Sequence, residues 1–174
     1  MTLTDIVPVE KWAELEEDIY NRCGLDVSVF GTDGMSITEF KRWANRLCPA
    51  VKATDKGLSF ICALANQTMA NEVSKTRQPL IGECDAGLMK IVVPIFVGDE
   101  FLGVTAACGV ILDHSEVEFF LINKITEIDE TRIESLSKDI NRMPEDEAER
   151  LVQYIQGEID RIVGDSEMAS GGMD

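Results

Sequence analysis

Histidine is nearly absent: the chain has one, His114, among 174 residues. Any Cys–His nucleophile pair would have to use it, and Asp113-His114-Ser115 carries no local motif that accompanies such a pair. His114 reads instead as a surface-loop or helix-cap residue. Basic residues are scarce too, 16 against 32 acidic ones, for a formal net charge of −16. That field repels phosphate backbones and anionic lipid surfaces, which argues against nucleic acid or a membrane as partner. No apolar run reaches the roughly 20 residues that span a bilayer. Met1 to Pro8 lacks the basic and apolar regions of a secretion signal. The protein is therefore expected in the cytoplasm, with the acidity serving solubility. Cys-x-x-Cys pairs are missing, which removes zinc-finger and thioredoxin-type motifs. A phosphate-cradling loop is missing as well, since Gly82 and Gly87 are sparse and far from a helix start. Acidic pairs such as Glu16-Glu17 and Glu145-Asp146-Glu147 read as solvated helix faces.

What remains is a chain that is 45% apolar and long enough for one domain with a real core. Val9 to Arg22 has Trp12, Leu15 and Ile19 at helical spacing, and Gly24 closes that helix. Leu25 to Phe30 alternates as a strand, Gly31-Thr32-Asp33-Gly34 is a turn, and Met35 to Ile37 is a candidate returning strand. Glu39 to Cys48 predicts a helix with Phe40, Trp43, Ala44 and Leu47 on one face, stopped or restarted at Pro49. Ser59 to Lys75 predicts a helix with Cys62, Ala65, Asn66, Met69 and Val73 along one stripe. Leu80 to Glu83 is a short strand. Leu88 to Val97 and Glu100 to Leu112 form a hairpin about Gly98-Asp99. Helices follow around Val117 to Ile128, Ile133 to Ile140 and from Pro144 onward, with Leu151, Ile155, Ile159 and Ile162 as a stripe. This order predicts an α+β fold, an antiparallel sheet with one face buried under helices and with C-terminal helices. The domain is expected over residues 1–164, with a flexible tail over 165–174.

The cysteines carry the chemistry. In a reducing compartment disulfides are improbable, which leaves buried thiols or metal ligands. Cys62 lies on its helix's apolar stripe. A two-residue turn at Gly98-Asp99 sets Val97 opposite Glu100 and Cys108 opposite Met89. Cys108 then shares a face with Ile91, Val93, Leu102, Val104 and Ala106. Cys84 leads into the hairpin and Cys48 ends the preceding helix. Cys48, Cys62, Cys84 and Cys108 can therefore meet beneath the helices and hold an iron–sulfur cluster, zinc, or nothing, as small hydrophobes. Met69, Met89, Ile91, Val93 and Ala106 would line the same pocket. Cys23 reads as packing.

These residues also carry a resemblance. Asn45-Arg46-Leu47-Cys48, Cys62 opening a long helix, Gln78-Pro79, Cys84-Asp85-Ala86-Gly87-Leu88, Val93-Pro94-Ile95 and Phe101-Leu102-Gly103 recur in the order found in the PocR sensory domain. Trp12, Gly24-Leu25 and Asp33-Gly34 add to the likeness, which spans roughly residues 10 to 112. The resemblance implies a PAS/GAF-like fold and a small organic ligand. Cys48, Cys62 and Cys84 fall where that family places cysteines. Cys108 stands where it more often has glycine and Asp85 where it usually has histidine, which favours a metal or cluster here. Family members are commonly fused to output domains. The expectation is a stand-alone cytoplasmic sensor, not an enzyme, signalling through C-terminal helices that pair with a second subunit or a partner, or simply pack on their own sheet. The alternatives are a metal-free binding module and an enzyme with Cys84 as nucleophile.

Overall fold

The computed structural model describes the fold of residues 1–171 and the side chains of residues 1–168. Helices α1 (Leu3–Ile6) and α2 (Val9–Cys23) open the chain, and Gly24 caps α2 by donating its N–H to the Tyr20 carbonyl. Strand β1 (Asp26–Gly31) follows. After an irregular stretch come α3 (Leu47–Lys52), α4 (Asp55–Gly57), a π-helical segment (Leu58–Ala63) and α5 (Leu64–Thr76). Strands β2 (Leu80–Glu83), β3 (Met89–Val97) and β4 (Glu100–Leu112) precede α6 (Phe119–Thr126), α7 (Glu130–Ser137), the two-residue β5 (Arg142–Met143) and α8 (Glu145–Gly171). The fold is α+β, as the residue pattern predicts. The sheet runs β1-β4-β3-β2, antiparallel throughout, with β5 added parallel to the end of β4.

Helices cover both faces of the sheet, not one. Val27, Val29, Ile91, Val93, Ile95 and Ala107 point to α2 and α8, where Trp12, Ile19, Leu151, Ile155 and Ile159 complete a buried core. Phe30, Val92, Val104 and Ala106 point the other way, onto Met69 and Val73 of α5. Burying both faces explains why β3 is apolar along nearly its whole length, without alternation. The Leu151–Ile162 stripe is thus packed on the chain's own sheet. Helix α8 continues through 165–171, where a tail was expected, and 172–174 lie outside the described residues.

Two other expectations need correction. Residues 39–46 form no helix; the helix begins at Leu47 and carries Pro49 in its first turn, where the missing N–H costs no hydrogen bond. And the β3–β4 register slips. Val97 faces Glu100 and Phe96 faces Phe101, but Ile95 faces Gly103, so Leu102 is an extra residue. Side chains alternate with period two, so one inserted residue exchanges the partners of every position beyond it. Cys108 consequently faces Lys90, not Met89. It keeps Val104 and Ala106 as neighbours on its face, while Met89, Ile91, Val93 and Leu102 belong to the core under α2 and α8.

Candidate functional site

Two sites lie on the α5 side of the sheet. The first is a cavity of about 840 Å³ between the open end of β1, the irregular 32–43 segment and the π-helical segment with α5. Its walls are apolar at Phe30, Phe40, Trp43, Ala70 and Phe101 and polar at Lys41, Lys52, Asn66 and Asn71. Met35, Trp43 and Leu58 remain 66%, 38% and 47% exposed around it, an apolar rim on a highly charged protein. None of Met69, Met89, Ile91, Val93 and Ala106 lines it. Met69 and Ala106 sit behind its wall in the α5 core, and the other three lie across the sheet.

Local sequence explains the shape. Met35 to Ile37 returns along β1 as an antiparallel bridge, with Gly31 N–H on the Met35 carbonyl and Ile37 N–H on the Val29 carbonyl, both at 3.0 Å, and beyond it the segment is held by side chains. Glu16, fully buried on α2, accepts the Val29 N–H at 2.7 Å and the Thr38 hydroxyl at 2.5 Å. Burial pushes this carboxyl above the usual range, against those two donors and the charge of Lys41. Lys41 reaches the buried Asp26 at 3.3 Å and lies over the Trp43 ring at 4.3 Å. The π-helical turns, a feature that often marks functional sites, advance the helix phase. They leave Leu58, Phe60 and Leu64 exposed while Ile61 turns inward. Asn66 Oδ1, on the cavity wall, is buried with no hydrogen-bond partner.

The second site is the thiol group. All five cysteines are free. Cys48, Cys62 and Cys84 pack on one apolar cluster with Leu47, Val51, Ile61, Leu88 and Ile111. Cys108 extends toward them from β4, near enough that a thiolate there would raise all three. Cys23 is remote, donating its S–H to the Ile19 carbonyl under α8. Burial pushes the Cys62 thiol up to about 11 and raises Cys48 and Cys84 as well, so these are poor nucleophiles near neutrality. His114 is exposed in the turn after β4. Among the described residues, no three His, Cys, Asp or Glu side chains are placed to share one metal ion.

Over residues 5–166 the chain matches the family described as the sensory domain found in PocR. The chain belongs to the PocR sensory-domain family. A PocR sensory domain is a ligand-sensing module, which fits a deep half-apolar cavity better than it fits a catalytic centre. No curated protein and no solved structure matches this chain. Among the described residues of this PocR domain, no helix is long and apolar enough to cross a membrane.

Periodicity puts Phe40 and Trp43 on a helix face and Asn66 on a packing stripe, whereas all three line the cavity. One signal was legible: a lone lysine interrupts the apolar run Leu88-Met89-Lys90-Ile91-Val92-Val93.

Proposed function

We propose that this PocR domain is a sensor for a small organic molecule held in the cavity beside α5. The orphaned Asn66 Oδ1 carries the reading. A buried carbonyl without a donor costs about 1–3 kcal/mol, and a ligand hydroxyl or N–H would remove that penalty. The aromatic walls would take an apolar body, so the ligand class is a small alcohol or amide with a hydrocarbon part. Its occupancy would be passed to the C-terminal helix along packed side chains. Thr38, in the cavity wall, bonds Glu16 of α2. Two residues further along α2, Asp18 accepts the Tyr154 hydroxyl of α8, and Arg22 stacks on the Tyr154 ring at 4.0 Å. The exposed flank of α8 is then where a partner protein or second subunit would read the state. Free thiols and strong acidity suit a reducing cytoplasm and a partner other than nucleic acid.

The test is a melting-temperature screen with small alcohols, amides and matching hydrocarbons, alongside Asn66→Leu. A donor-bearing compound should stabilise the native chain by mass action, and Asn66→Leu should abolish its advantage over the hydrocarbon. Equal responses of the two proteins to every compound would remove the reading.

A further inference from the structure

We infer that Cys48, Cys62, Cys84 and Cys108 together ligate an iron–sulfur cluster of the four-iron class, enclosed between β4, the π-helical segment, α3 and the β2–β3 turn. This site is separate from the cavity ligand, although Cys62 and Lys52 stand at the wall between the two.

Four segments distant in sequence converge there, and the backbone is shaped for it. Asn45 Nδ2 donates to Cys48 Sγ at 3.3 Å and to the Gly109 carbonyl at 2.7 Å, which pins the Cys48 turn against the residue after Cys108. The backbone N–H groups of Ala86 and Leu88 lie beside Cys84 and favour its thiolate, while the Gly87 N–H closes the turn onto the Cys84 carbonyl at 2.9 Å. The chain can curl around that sulfur only because Gly87 takes φ +83° with its Cα against the Glu116 carbonyl, where a Cβ would lie 2.1 Å from the oxygen. Backbone N–H groups aimed at sulfur favour the thiolate and are one of the protein's levers on a cluster.

Charge points to an anionic occupant. Lys90 is 6% exposed and faces Cys108 across the ladder, and its charge acts on Cys62 and Cys84. Among the described residues its ammonium has no hydrogen-bond or ion-pair partner on the protein. Asp26, on the other side of Cys108, pairs with Lys41 and Lys52. Of these lysines, Lys90 and Lys52 face the thiols, and Lys52 has Asp26 as a partner, so Lys90 brings a positive charge to the thiol group with no carboxylate to match it. A dicationic four-iron core on four thiolates is a dianion, the sign of occupant that charge attracts.

Spacing separates a cluster from a single ion. Zinc at about 2.3 Å from each thiolate needs sulfurs roughly 3.8 Å apart. Among the described residues no three of these thiols are set for one ion, although Cys48, Cys62 and Cys84 pack on a single cluster. A cluster fills a wider space between its ligands. Loading by ligand exchange balances without an oxidant: each protein thiol forms an iron–sulfur bond and passes its proton to the departing thiolate.

The test uses the full chain, purified without oxygen, and a synthetic four-iron cluster with small thiolate ligands as donor. The native chain should turn brown with sulfur-to-iron absorption and retain iron and sulfide in equal amounts, near four of each. Cys84→Ser should weaken retention at least about tenfold, as should Lys90→Met, which keeps every ligand. Cys23→Ser should load like the native chain. Absence of bound iron and sulfide in the native chain overturns the inference without any variant. So does tightly bound zinc without sulfide, or equal loss in Cys23→Ser. None of these outcomes bears on binding of organic compounds in the cavity.

Discussion

The Asn45 side chain bridges to the Gly109 backbone: Nδ2 donates to the Gly109 carbonyl at 2.7 Å while Oδ1 accepts the Cys48 N–H at 2.8 Å. One amide thus joins β4 at Gly109, the unpaired residue between Cys108 opposite Lys90 and Val110 opposite Met89, to the start of α3. Gly109 takes φ +108°, and a Cβ there would lie 2.6 Å from Ala44 Cβ. Asn45→Ala should lower unfolding free energy by about 1–3 kcal/mol, from orphaned buried groups. Gly109→Ala should cost at least as much through strain and contact. Urea unfolding checks both, and a neutral Asn45→Ala would show the bridge to be incidental.

Glu16 predicts the pH dependence of stability. Its folded carboxyl is raised above the unfolded value, chiefly by burial, so the folded state binds the proton more tightly. That contribution is fully present below the unfolded value and is lost as pH rises through the raised one. Glu16→Gln keeps an acceptor for Val29 and should flatten the stability profile across that window. Unfolding titrations at successive pH values measure it, and an unchanged slope would refute the assignment.

Trp43 reports on the cavity. Trp12 is fully buried and donates to the Leu3 carbonyl at 3.0 Å, whereas Trp43 is 38% exposed at the cavity rim. Occupancy should shift the emission of Trp43 alone. In Trp43→Phe the ligand-dependent change should vanish while thermal stabilisation by the ligand persists in weakened form. A ligand signal surviving from Trp12 would place binding elsewhere.

In the metal-free protein, Cys62 should alkylate slowly near neutrality, and its rate should climb about tenfold per pH unit until about 11. Iodoacetamide labelling with peptide mapping follows it. Fast labelling at neutral pH would mean that the π-helical turn opens in solution.

Ile155, fully buried on α8, tests whether this helix belongs to the core. Ile155→Ala should cost about 2–5 kcal/mol of unfolding free energy. A change under 1 kcal/mol, about the scale of an exposed position, would instead make α8 a detachable arm.

Short-range pattern by itself determined much of this protein. The α2 periodicity ending at Gly24, the strands around Gly98-Asp99, the α8 stripe and the order of cysteines all follow from spacing, turn chemistry and apolar content. These are local properties that a chain carries before it folds. The family likeness rests on the same local pieces. Tertiary structure alone decided which way Cys108 points, because the extra residue at Leu102 depends on cross-strand packing and leaves no mark in the alternation. It also decided that both sheet faces are covered. Residues 39–46 gave up a helical pattern for the cavity wall once Asp26 held Lys41 and the Gly109 carbonyl held Asn45 from distant segments. The partnerless Asn66 Oδ1 became visible only when folding removed water from around it, and the place of Lys90 opposite Cys108 only once the ladder register was fixed.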